Sequence, residues 1–147
     1  MLEGQEFKTP LPAHCTLMPA LMLVGRQNIG ELIEVVGNRT RSEEWPRLEI
    51  IPSEKVLFGP KLNVPVTQVV EHYLRKAHNI LLIALPGVEH EREDWVFKGY
   101  KPHVSDINDW TFLDKEPIVA TELVILEIFE LPTGKVKRVR VVIPLKR

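Results

Sequence analysis

The sequence has a single cysteine, Cys15, so no disulfide can close within its 147 residues. That composition fits a reducing compartment, and the cytoplasm is the expected location. Long apolar runs are missing as well. The stretch Leu17–Val24 is interrupted by Pro19, far short of the roughly 20 residues that span a bilayer. Glu3 and Glu6 stand where a secretory leader would carry basic residues, which argues against one and against a membrane partner. Nor is there an excess of charge. The 19 Lys+Arg and 20 Asp+Glu leave a formal charge of −1, which rules out reliance on bulk positive charge to grip a DNA duplex but leaves a small phosphate-bearing ligand open.

What is present suits one globular domain over residues 1–147. Hydrophobic residues make up 44% and charged residues 27%, enough of each for a core and a solvated surface. A chain of about 150 residues buries roughly 68–70% of its unfolded surface without needing disulfides or a structural metal.

The periodicities outline the elements. Ala13–Leu17 alternates as a strand, with His14 and Thr16 on one face and Cys15 and Leu17 on the other. Ile29, Leu32, Ile33 and Val36 share a helix face, with Asn28 as N-cap and Gly37 as C-cap. Asn38–Trp45 reads as a loop, followed by short strands at Leu48–Ile51 and Lys55–Phe58 and a third near Leu62–Val64. A stripe of Val66, Val69, Val70, Tyr73, Leu74 and Ala77 predicts a second helix closed by Asn79. Ile80–Leu85 fits strand or helix equally, Pro86–Gly99 reads as a loop, and Tyr100–Ser105 as a strand with a polar break after it. Ile118–Phe129 and Val136–Ile143 around Leu131–Gly134 form a long hairpin. The order predicts an α+β fold with antiparallel-rich sheets.

Two of the five histidines begin the pattern His-x-Ser/Thr: His14-Cys15-Thr16 and His103-Val104-Ser105. With 10 Ser+Thr in the chain, chance supplies about 0.3 such matches, so two is an excess. On a strand, residues i and i+2 share a face, so each motif presents one imidazole and one hydroxyl together. Imidazole exchanges a proton near neutral pH. Two of them beside a phosphodiester serve as base for the nucleophile and acid for the leaving oxygen, with no metal or other cofactor required. The hydroxyls of Thr16 and Ser105 suit the non-bridging oxygens, where charge develops.

These motifs resemble those of the 2H phosphoesterase superfamily, which includes LigT-like 2′-5′ RNA ligases and cyclic nucleotide phosphodiesterases. The resemblance runs from Ala13-His-Cys-Thr-Leu17 through Val56-Leu-Phe-Gly59 and the second helix to Tyr100-Lys-Pro-His-Val-Ser105 and the final hairpin. It implies a bilobed fold around a central cleft, with His14, Thr16, His103 and Ser105 as the catalytic set. It also implies a small nucleotide or RNA end as substrate: a 2′,3′-cyclic phosphate, a 2′-5′ linkage or a cyclic oligonucleotide, the last being the substrate of phage members of the family. Asp106 stands where the family carries an apolar residue, which predicts that the second strand ends or bends there. A non-catalytic nucleotide- or RNA-binding module using the same cleft is the alternative.

Around the second motif, Lys101 lies two residues before His103, as expected for a cation facing the phosphate. Tyr100 and Trp110, from a cluster that includes Trp95, Phe97 and Phe112, are the candidate stacking rings for a base. Cys15 should face the core. His72 and His78 lie about 240° apart on a helix, unsuited to sharing a metal, and His90 sits among solvated acids. The basic end, Lys135, Lys137, Arg138, Arg140, Lys146 and Arg147, reads as a solvated hairpin or a patch that guides an anion.

Overall fold

The structure, a computed structural model, describes residues 1–8, 11–23, 27–107 and 110–145. Pro10, Val24, the Asn108 and Asp109 of the polar break, and Lys146 and Arg147 of the basic end lie outside the described residues. The fold is α+β: two helices and several small antiparallel sheets among the described residues, with no barrel. In chain order the elements are β1 (Glu6–Phe7), β2 (Leu21–Met22), α1 (Ile29–Arg41), β3 (Glu49–Ile50), β4 (Pro52–Phe58), β5 (Val64–Val69), α2 (His72–Ala84), β6 (Glu89–His90), β7 (His103–Ser105), β8 (Ile118–Val119), β9 (Glu122–Leu131) and β10 (Gly134–Pro144).

The largest sheet joins β1, β10 and β9. The predicted hairpin forms it, with Gly134 paired to Leu131 and a bulge at Arg140. A second sheet runs β4-β5-β7, and β2 with β6 and β3 with β8 make two short ribbons. No helix is long and apolar enough to cross a membrane.

Local chemistry accounts for most of these elements. Asn28 caps α1 as expected, its side-chain oxygen accepting from the Glu31 amide at 2.9 Å. Gly37 does not end that helix, which runs through it to Arg41. Its last turn is instead tied by Thr40 Oγ1 donating to the Gly37 carbonyl and by Arg41 donating to Asn38, so Asn38 to Arg41 are helical and not loop.

The larger correction concerns Val66–Val69, expected in the second helix and found in β5. Both faces of this central strand are covered, with Val66, Thr67 and Val69 all buried. With both faces covered, the Val-Thr-Gln-Val run carries no usable alternation of apolar and polar residues, and its β-branched residues favour the pleated conformation. The helix α2 begins only at His72, passes through Asn79 and takes in Ile80–Ala84, where Leu81 and Leu82 are buried.

Two apolar clusters meet behind the sheet. One gathers Leu48, Ile50, Val69, Leu74, Ala77, Tyr100, Val104 and Phe112. The other joins Leu32 and Val36 of α1 to Leu81 of α2 and Ile143 of β10. Leu17 and Trp45 touch both. Each large side chain so buried contributes roughly 1.5–3 kcal/mol, and the placement of Leu17 and Val104 in these clusters anchors the segments that carry both histidine motifs.

Candidate active site

The two motifs meet at a single antiparallel bridge between Cys15 and Val104. That register sets His14 opposite Ser105 and Thr16 opposite His103. The middle residues point one way, Val104 into the core and Cys15 against it, so by strand alternation the two histidines and two hydroxyls share the other face. The result is a local two-fold arrangement in which each imidazole is paired with the hydroxyl of the other motif. The strand predicted at Ala13–Leu17 is reduced to this one bridge, but its alternation holds.

Both imidazoles are oriented in the same manner. His14 Nδ1 lies 2.9 Å from the Pro12 carbonyl, and His103 Nδ1 lies 2.8 Å from the Lys101 carbonyl. A carbonyl oxygen only accepts, so each Nδ1 carries the hydrogen, and each Nε2 is the nitrogen left to meet a ligand.

The two rings sit in different surroundings. His14 is exposed. His103 is packed edge-to-face by Phe58 at 4.7 Å and Trp95 at 5.8 Å between centroids. This loss of solvent holds its pKa below the usual imidazole value; the bond to Lys101 offsets part of the shift, and the nearby charge of His14 adds to it. The charge of His14 is therefore close enough to be felt at His103.

Behind the first motif lies a support that its spacing does not disclose. Tyr100, expected as a stacking ring for a ligand, is buried, and its hydroxyl donates to the Thr16 carbonyl at 2.8 Å. One of its faces is stacked on His78, 4.1 Å away with the rings within 4° of parallel. The tyrosine thus positions Thr16, and the ring stacks on protein. His78 is fully buried. Its Nδ1 donates to the Leu17 carbonyl at 2.6 Å, and its Nε2 accepts the Phe97 amide at 3.0 Å. Only the neutral ring satisfies both bonds, and burial, followed by the charge of Arg75 among other effects, holds its pKa down against the Leu17 bond. Arg75 donates to the carbonyls of Phe97 and Tyr100 and to Glu71, closing a network that fixes the 93–100 segment bearing Trp95.

Cys15 packs against the core, as expected of it, and burial pushes its thiol up to about 12, against opposing hydrogen bonds with the His103 backbone and Tyr100. Asp106 marks the end of β7 at Ser105, as its polarity predicts. Its side chain is 5% exposed and lies 3.3 Å from Lys55 Nζ, with Thr67 donating to it at 3.4 Å. Alternation puts it on the Val104 face, away from Ser105.

Lys101 is exposed and borders a small crevice shared with Thr16, Pro19, Trp95, Tyr100 and His103. Trp110 stacks on Phe112 at 6.2 Å and packs against the core, which makes it a core-edge residue and not a ring at this crevice. The described basic residues of the hairpin are largely paired: Lys135 with Glu91 and Glu130, Arg138 with Glu6, and Arg140 with Glu127. They form a neutralised surface and not a cationic patch. No three His, Cys, Asp or Glu among the described residues are grouped to hold a metal ion.

No family model, curated protein or solved structure matches this chain.

Phe58 and His78 belong to the site's structure yet escape a reading by motif. A signal existed for His78: it lies four residues after Leu74 and three before Leu81, inside the apolar stripe, which is where a buried, hydrogen-bonded histidine sits. Phe58 had none, since its contact with His103 depends on the pairing of β4, β5 and β7.

Proposed function

We propose that this protein is a metal-independent phosphodiesterase of the 2H type, acting on a nucleotide or RNA-terminal phosphodiester. The observation that supports this most is the antiparallel Cys15–Val104 register with both Nδ1–H groups held by the carbonyl two residues upstream. It leaves two Nε2 atoms and two hydroxyls on one face. A bilobed cleft centred on that bridge is part of the proposal.

His103, biased toward its neutral form, is the base that removes the proton of the attacking oxygen. His14 donates the proton that the leaving oxygen takes as its bond to phosphorus breaks. Thr16 and Ser105 donate to the non-bridging oxygens, and Lys101 lends positive charge at the rim. Because two imidazoles carry both proton transfers, turnover persists in EDTA.

The test is a screen of 2′,3′-cyclic nucleotides, 2′-5′ and 3′-5′ dinucleotides and cyclic dinucleotides, with His14→Ala and His103→Ala alongside. Each substitution lowers kcat by about 10²–10⁴-fold. Full activity in either variant overturns the catalytic assignment, and binding without turnover across the panel makes the protein a nucleotide-binding module.

A further inference from the structure

Phe97 holds a backbone conformation that a phenylalanine does not favour. Its φ of 51° lies in the left-handed region, which a bulky residue keeps only where the surroundings impose it. Burial does not impose it, because the Phe97 side chain is exposed. Bonds to α2 do. The Phe97 amide donates to His78 Nε2 at 3.0 Å, and its carbonyl accepts from Arg75.

Two residues earlier, Trp95 packs edge-to-face on His103 at 5.8 Å and on Phe58 at 6.0 Å. Trp95 and Phe97 belong to one tight turn. The Gly99 amide donates to the Val96 carbonyl at 3.1 Å, and Gly99 lies against the Asp94 backbone, so where Phe97 is held decides where Trp95 lies. The other nitrogen of His78 serves the first motif, with Nδ1 donating at 2.6 Å to the carbonyl of Leu17, the residue after Thr16. Thr16, Trp95 and His103 line the same crevice. One imidazole thus reaches from the backbone of one motif to the turn that shields the other.

We infer that His78 is a positioning residue that joins the two motifs: its Nδ1 fixes the backbone behind Thr16, and its Nε2, by holding Phe97, keeps Trp95 on the ring of His103. His78 is fully buried and out of reach of a ligand. Its effect on the site is to keep water off one of the two imidazoles, whether or not that site cleaves a phosphodiester. The charged groups facing His78 are Arg75 on its own helix, paired with Glu71, and His90 on β6. Those beside His103 are His14 and Lys101. All remain in the variants below, so a change at His103 reports the loss of Trp95.

The test follows the His103 ring by NMR in two matched variants. An asparagine amide reaches the place of Nδ1 and a glutamine amide that of Nε2, so each keeps one of the two bonds. His78→Asn should move the His103 titration midpoint up toward the ordinary value of about 6.5. It should also abolish the NOE between the Trp95 and His103 rings and quicken exchange of the Phe97 amide about tenfold or more. His78→Gln should leave all three near wild type. Trp95→Ala should raise the His103 midpoint by itself, and His78→Asn added to it should raise it no further. A His103 midpoint unmoved in folded His78→Asn, moved equally by both His78 variants, or raised additively in the double variant overturns the inference. Should His78→Asn not fold, the wild type and Trp95→Ala decide. A hydrogen on His78 Nδ1, a Phe97 amide protected from exchange and a raised His103 midpoint in Trp95→Ala uphold the coupling, and a hydrogen on Nε2, an unprotected amide or an unmoved midpoint overturns it. If a diester is turned over, the acidic limb of its kcat/KM profile should rise in His78→Asn and not in His78→Gln. A protein without turnover fails the phosphodiesterase reading alone, and the NMR outcomes still decide the coupling.

Discussion

A protonated His78 would set a new N–H on Nε2 against the Phe97 amide that now donates to it, so this buried ring resists protonation. His103 does so too, chiefly because Phe58 and Trp95 shield it. Both folded-state values lie below the ordinary imidazole value of about 6.5. The unfolded chain therefore takes up protons, as pH falls through about 6.5, that the folded chain refuses. Stability from these two residues is fully present above that pH and is lost as pH falls toward the lowered values. The midpoint of urea unfolding should be lower at pH 5.5 than at pH 7.5, with an unchanged slope; equal midpoints would show that neither ring is held neutral. In the same sense, the acidic limb of the kcat/KM profile should lie below the usual imidazole range, because the proposed base, His103, accepts a proton only when neutral.

Among the elements, α1 shows how a residue's local preference yields to its neighbours. Gly37 is favoured just beyond a helix end, yet here it is buried in the helix interior. A methyl group added there would meet first the end of the Arg41 side chain, 3.1 Å away, with all three of its nearest neighbours, out to 3.7 Å, being atoms of that side chain. Arg41 can swing clear at the cost of its exposed bond to Asn38. Glycine in a helix interior is about 0.8–1.0 kcal/mol less favourable than alanine. Gly37→Ala should therefore stabilise the protein by about 0.5–1 kcal/mol in urea unfolding, and a clear destabilisation would mean that Arg41 is not free to move. Gly99 is the opposite case, since a side-chain carbon there would overlap the Asp94 carbonyl. Its absence of a side chain lets the segment carrying Trp95 fold back beside His103.

At the scale of the whole molecule, near-zero net charge and paired hairpin cations suit the proposed substrate, a compact anion held through few contacts. Lys101 is the ammonium at the proposed site. One phosphate contact corresponds to a salt slope of about −0.7 for a single strand, so raising salt from about 50 to about 200 mM should raise KM no more than about threefold. A hundredfold increase would require a cationic surface that the described hairpin lacks.

The sequence by itself determined the chemical groups and their immediate geometry. Two His-x-Ser/Thr motifs, the spacing of i and i+2 on a strand, the Asn28 cap and the terminal hairpin all depend on near neighbours, so local rules read them correctly. Val66–Val69 escaped those rules because burial on both faces erases the alternation that marks a strand. Tyr100 and Trp110 showed the same limit, since an aromatic ring's role depends on what lies across from it. Only the tertiary structure decided that Cys15 meets Val104, that Phe58 and Trp95 enclose His103, and that His78 and Tyr100 hold the Thr16–Leu17 backbone. Apart from Trp95, which lies eight residues before His103, those contacts join residues 45 to 89 positions apart, where the pairing of strands and the packing of α2, and no property of the segments alone, determine which groups meet.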